Sequence, residues 1–184
     1  SENPKKYDRY TGISAGGLNC GFLSYYSSIN EGVKDAEIMY SNIRNNDVYE
    51  ILPTTSNSLL NTEPLYKTLK KIITNKTNEP VIETLIGAVN LYTGNLDTYK
   101  YGSTLNIEDK VKLLMSTSAI PMVFPPIKFK GYMYADGGTL SDELLDIVHS
   151  SSYLNITFIS PFVMFTENDN PINTLEDMIT RTVQ

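Results

Sequence analysis

Tyr7-Asp8-Arg9-Tyr10-Thr11-Gly12-Ile13-Ser14-Ala15-Gly16-Gly17-Leu18-Asn19-Cys20-Gly21-Phe22-Leu23 changes its hydrophobic period partway through. Tyr7 to Thr11 read as a short extended segment, whereas Leu18, Phe22 and Leu23 recur at helical spacing, so a strand feeds a helix through a tight glycine turn. A serine at such a corner has its hydroxyl pushed out of the turn, and the first amides of the new helix, starting with Ala15 N–H, point toward any oxyanion formed there. Gly12 and Gly16 on either side of Ser14 are expected to let strand and helix pack closely. The competing reading is a glycine-rich helix start in which Ser14 acts only as a cap.

Working outward, Glu31 to about Ile43 suggests a helix through Val33, Ile38 and Met39, and Pro64–Ile73 an amphipathic helix with Leu65, Leu69 and Ile72 on one face. Val81–Tyr92 and Leu96–Tyr101 flank the turn residues Thr93-Gly94-Asn95, which predicts a hairpin. Ile107–Met115 has helical spacing and ends before Pro121 and Pro125-Pro126. Lys128–Ala135 alternates like a strand and delivers Asp136-Gly137-Gly138; a helix over Leu140–Val148 and an apolar strand over Leu154–Ile159 are expected to follow. Strands interleaved with helices indicate an α/β layered fold, and no internal repeat or linker divides the 184 residues.

The composition narrows the function. Fifteen Lys and Arg against 21 Asp and Glu give a net charge of −6, which lacks the basic surface of a nucleic-acid binder and disfavours electrostatic attraction to anionic membranes. The single cysteine, Cys20, excludes an internal disulfide and a Cys-rich zinc site, and fits a reducing compartment; beside Leu18 and Phe22 it reads as a small core residue. One histidine, His149, argues against a His-rich metal site, and the acidic residues lack the spacing of a calcium loop, so no metal or cofactor is expected. No window approaches the ~18 apolar residues of a membrane span. The sequons at Asn75 and Asn155 are taken as chance matches.

A serine needs a base. Asp136 stands at the end of an expected strand, where α/β sheets present catalytic groups, and Gly137 and Gly138 would allow the backbone to pass close to the serine turn. A plain Asp-Gly turn is the bland alternative. Asp142, grouped with Glu143 in the first turn of the next expected helix, is a weaker candidate. His149 follows Ser14 and Asp136 in the order of a Ser-Asp-His triad, but a histidine at a helix end also interacts with the helix dipole.

Four blocks then carry a resemblance: GISAGGLN (12–19), LIGAVNLYTGNLDTYKYGS (85–103), STSAIPMVFPP (116–126) and ADGGTLSDELL (135–145). In order and rough spacing they are similar to patatin-like phospholipases. The resemblance implies a three-layer α/β/α sandwich with a nucleophile elbow, and lipid acyl hydrolysis by a Ser/Asp dyad without histidine. By position, Ser14 matches the family's nucleophile and Asp136 the base of its DG[GA] motif, with Gly12, Gly16, Gly137 and Gly138 as motif glycines. Ala15 N–H is the expected oxyanion donor. An aspartate base requires a site that desolvates its carboxylate, and the Phe, Met and Pro residues between Met115 and Met133 could supply apolar walls.

Two departures accompany the resemblance. The family carries a glycine-rich oxyanion loop after a first strand upstream of the serine, and Ser14 stands too near the start for it, so residues 1–184 read as a partial patatin-like domain. The entry strand, with Lys5, Lys6, Asp8 and Arg9, is also polar for a buried one. The expected activity is cleavage of fatty-acyl esters of phospholipids or glycerolipids through a Ser14 acyl-enzyme. The alternative is a catalytically impaired patatin-like scaffold with a binding or assembly role. A cytoplasmic or peripheral-membrane location, with transient contact to a lipid surface and no nucleic-acid partner, completes the expectation.

Overall fold

The computed structural model describes residues 6–51 and 58–140, together with Asn155 and Thr157. The elements are β1 (Arg9–Ile13), α1 (Ser14–Leu23), α2 (Ile29–Asn42), β2 (Glu50–Ile51), β3 (Leu60–Asn61), α3 (Glu63–Thr74), β4 (Glu83–Asn90), β5 (Leu96–Tyr101), α4 (Ile107–Thr117), β6 (Ile127–Phe129) and β7 (Tyr132–Asp136). Single 3₁₀ turns cover Asn45–Asp47 and Gly137–Leu140. Helices and a mixed parallel and antiparallel sheet make this an α/β fold.

Local chemistry accounts for the elements. Pro64 occupies the first turn of α3, where its missing N–H costs nothing, and Leu65, Leu69 and Ile73 form the buried stripe. Asn106 caps α4 by accepting from the Asp109 amide at 2.8 Å, and Glu108 and Asp109 lie at the positive end of the helix dipole. The alternation over Lys128–Ala135, expected as one strand, is instead a tight hairpin. Lys130 and Gly131 both take positive φ, 46° and 90°, which is what a two-residue turn matched to strand twist requires, and β6 folds back on β7.

β4 is the central strand. β5 pairs antiparallel with it from Thr84↔Tyr101 to Val89↔Leu96 and so takes one edge. The other edge is shared by two strands lying end to end: β1, parallel, from Arg9↔Glu83 to Ile13↔Gly87, and β7, antiparallel, from Ala88↔Asp136 to Asn90↔Tyr134. The polar start of β1 is accommodated because Arg9 pairs with Glu83 at 2.7 Å, which also meets Lys100 at 3.3 Å.

α1 and α4 pack on β4 and on each other, with α3 against α4. Their shared core includes Ile86, Tyr101, Val111, Leu113, Phe129 and Tyr134, all essentially without solvent contact. Each fully buried aliphatic side chain of this kind contributes about 1.5–3 kcal/mol. The helix expected at Leu140–Val148 lies, past Leu140, outside the described residues. Of the strand expected over Leu154–Ile159, the two described positions, Asn155 and Thr157, are exposed and not in a strand.

Candidate active site

The shared edge of β4 builds the site. β1 and β7 run toward each other and stop at adjacent partners, Gly87 and Ala88. The residue that leaves β1 therefore meets the last residue of β7. Those residues are Ser14 and Asp136, and the Ser14 hydroxyl donates to Asp136 Oδ2 at 2.7 Å.

Ser14 sits in the left-handed region with φ 53° and opens α1 directly. For a residue with a side chain that conformation costs about 1–2 kcal/mol, so neighbouring groups must hold it. Thr117, at the end of α4, accepts from the Ser14 amide at 2.9 Å while donating to the Gly87 carbonyl at 2.6 Å. A fully buried hydroxyl thus ties the corner to the central strand. On the other side, a Cβ at Gly12 would lie 2.5 Å from the Gly16 carbonyl oxygen, so only glycine lets the strand pass beneath the first helical turn.

Asp136 is 4% exposed. Its amide donates to the Ala119 carbonyl at 2.9 Å, Oδ1 accepts from the Gly138 amide at 2.7 Å, and Oδ2 accepts from the serine. Burial raises the carboxyl pKa above the ordinary aspartate value, opposed by the Gly138 and Ser14 hydrogen bonds. Tyr134, two residues earlier on the same face of β7, is fully buried, packs on Phe129 and Tyr99, and donates its hydroxyl to Asp97 Oδ2 at 2.8 Å.

The motif glycines divide. A Cβ at Gly137 would come within 2.9 Å of Ile13 Cγ2 and 3.0 Å of the Gly87 carbonyl, so this position must be small for the two strand ends to abut. Gly138 acts through its amide. Gly16 corrects the expectation that both flanking glycines serve packing, since nothing lies within 4 Å of where its Cβ would be. The close approach is made at Gly12, whereas Gly16 lies on the solvent-facing side of the helix.

Ala15 is exposed in the first turn of α1, where backbone N–H groups have no partner inside the helix. Cys20 is half-buried and its thiol pKa is pushed up to about 11 by burial, which keeps it protonated and unreactive. His149, Asp142 and Glu143 lie outside the described residues. Thr117 stands inside the 116–126 block without belonging to either catalytic motif, so the sequence pattern does not single it out as a site residue. A hydroxyl ending an otherwise apolar helix face was the available signal.

A hydroxyl on a strained strand-to-helix corner is bonded here to a buried carboxylate beside the first amides of a helix, which puts a group able to act as nucleophile against a group able to act as base. The fold is α/β, with Ser14 at the corner where β1 passes into α1. The sequence profile described as patatin-like phospholipase matches residues 2–149, and the chain belongs to that family. The family places it among lipid acyl hydrolases acting on lipid substrates. No curated protein sequence matches the chain closely enough to count as a relative. Among the described residues no helix is long and apolar enough to cross a membrane.

Proposed function

We propose that the chain, as one patatin-like domain, hydrolyses fatty-acyl esters of phospholipids or glycerolipids, with Ser14 as nucleophile and Asp136 as its base. The observation that carries the reading is the 2.7 Å hydrogen bond from the Ser14 hydroxyl to the buried Asp136 carboxylate. Asp136 takes the serine proton as Ser14 Oγ bonds to the ester carbonyl carbon. The carbonyl oxygen becomes an oxyanion, which the Ala15 amide and the positive end of α1 stabilise. Collapse expels the alcohol, which leaves with the proton from Asp136, and the acyl group stays on Ser14. Water, deprotonated by Asp136, then attacks the acyl carbonyl carbon, the bond to Ser14 Oγ breaks, and Asp136 returns the proton to Ser14 Oγ as the fatty acid leaves. Desolvation suits Asp136 to this work, because a carboxylate with raised proton affinity is a better base than one in water.

Contact with a lipid surface would be made by apolar side chains, since the chain's net charge is −6. The candidates cluster beside the site. Met122 is 84% exposed at φ 69°, next to Ile120, and its carbonyl accepts from the amide of the exposed Leu59. The same loop accepts the Asp136 amide through Ala119. The reading is tested with the full chain on p-nitrophenyl and phospholipid esters. Ser14→Ala and Asp136→Asn are each expected to abolish hydrolysis, and a fluorophosphonate probe is expected to label Ser14. Unchanged turnover in either variant would overturn it.

A further inference from the structure

One carboxylate oxygen gathers three strands beside the site. On β4, Ala88 has Asp97 of β5 as its register partner on one side and Asp136 of β7 on the other. The two aspartates therefore stand in one row on one face of the sheet, with their strands about 10 Å apart. Asp97 Oδ2 accepts from Asn90 Nδ2 at 2.9 Å and from the Tyr134 hydroxyl at 2.8 Å, and Asn90 and Tyr134 are themselves register partners across β4 and β7. The bond to Asp97 uses the one hydroxyl hydrogen of Tyr134, so in the 2.6 Å contact between Tyr99 and Tyr134 the Tyr99 hydroxyl is the donor. Burial, then the bonds to Tyr99 and Asp97, push the Tyr134 phenol pKa up, which keeps it protonated and donating.

We propose that Asp97, through Tyr134, is a positioning residue for the Asp136 base: it clips β7 to β5 across β4 and so holds the Asp136 carboxylate within reach of the Ser14 hydroxyl. The inference rests on Asp136 being the base. The backbone ladder gives β7 only three residues of pairing with β4, at Ala88, Val89 and Asn90, and Asp136 is the last residue of its strand. Tyr134, fully buried, stands at the other end of those three pairs. An anchor there sets how closely β7 lies along β4, whereas the crowding at Gly137 sets which residues meet. Asn90 stiffens the anchor, because its Oδ1 accepts from the Tyr92 amide at 2.9 Å and its carbonyl accepts from the Gly94 amide at 2.8 Å.

Tyr134→Phe removes the hydroxyl and keeps the ring that packs on Phe129 and Tyr99. Asp97 and Tyr99 are both half-buried, so water reaches the groups left behind and the variant is expected to fold. In the full chain its kcat on p-nitrophenyl octanoate is expected to fall about 10²-fold with KM held, the cost of a displacement near 1 Å. Asp97→Ala should fall alike, and Asp97→Asn, whose carbonyl oxygen can accept both bonds, should restore kcat. Carboxyl titration of Asp136 by NMR in the folded protein gives a readout independent of turnover. The Ser14 bond favours the charged carboxylate, so its loosening in Tyr134→Phe and Asp97→Ala should raise the Asp136 pKa above the parent's, which a loss of global stability alone would not do. With Asp136→Asn inactive, parental kcat in Tyr134→Phe, or an Asp136 titration matching the parent's, overturns the clip alone. Full activity in Asp136→Asn overturns the base itself and the proposal with it.

Discussion

Thr117→Val exchanges a hydroxyl for a methyl of almost the same shape, and it separates positioning from packing at the serine corner. Thr117 is 0% exposed, so water cannot replace the lost oxygen. The Ser14 amide loses its 2.9 Å acceptor and the Gly87 carbonyl its 2.6 Å donor. Leaving both groups unpaired costs about 2–6 kcal/mol, at about 1–3 kcal/mol each. At 2–4 °C per kcal/mol for a chain of this size, the melting temperature should fall by about 4–24 °C. A chain in the middle or upper part of the typical range of about 5–15 kcal/mol still folds with that loss. The larger effect falls on turnover. With its tether gone, Ser14 relaxes from φ 53° and its hydroxyl leaves the line to Asp136 Oδ2, and a displacement near 1 Å costs about 10²-fold in rate. Steady-state kinetics on p-nitrophenyl octanoate should show this loss in kcat with KM unchanged. Thr117→Ser keeps donor and acceptor and should restore kcat, while the missing methyl, which packs on Gly17, keeps the melting temperature low. Full kcat in the valine variant alongside a lowered melting temperature would refute the positioning role.

Asp136→Asn tests the buried carboxylate in the opposite direction. A carboxyl whose folded pKa is raised favours the folded state below its unfolded pKa and loses that contribution as pH rises through the folded value, so the variant should melt higher than the parent at pH 7 and alike at pH 4. By the same shift, parental kcat/KM should fall on acidification through a pKa above the ordinary aspartate value of about 3.9, followed as a pH–rate profile. Gly12→Ala should be insoluble or strongly destabilised on thermal melting, because its Cβ meets the Gly16 carbonyl at 2.5 Å, whereas Gly16→Ala should fold normally with up to about 1 kcal/mol gained from helix propensity. His149→Ala should leave ester hydrolysis intact, and near-complete loss would replace the dyad with a triad.

How much of this was legible in the sequence differs by range. The serine turn was readable because every determinant is local: a period change, Gly12 beneath the turn, and helical spacing from Leu18 onward. The helices over 63–74 and 107–117 were readable for the same reason. The Lys128–Ala135 stretch was not, because alternation looks the same in one strand as in two joined by a two-residue turn, and only the positive φ at Lys130 and Gly131 distinguishes them. Thr117 was illegible as a partner of Ser14 because its role depends on α4 ending over Gly87, a fact of packing rather than of pattern.

The meeting of Ser14 and Asp136 is a matter of register, and register explains why resemblance could suggest it while local pattern could not. The two residues are 122 positions apart and touch because β1 stops opposite Gly87 and β7 stops opposite Ala88 on one edge of β4. A slip of one residue in either pairing would send the side chain at the strand end to the opposite face. What fixes the pairing is crowded backbone. Gly137 lies within about 3 Å of both Ile13 and the Gly87 carbonyl, measured from where a Cβ would stand, so the two strand ends fit only at a position without a side chain. Gly137→Ala therefore perturbs register before it perturbs chemistry. It should lengthen the Ser14–Asp136 hydrogen bond and, by weakening a contact that favours the charged carboxylate, push the carboxyl pKa further above its ordinary value, which carboxyl titration by NMR would follow. An unchanged titration with an intact fold would show that the junction tolerates a methyl and that register is held elsewhere.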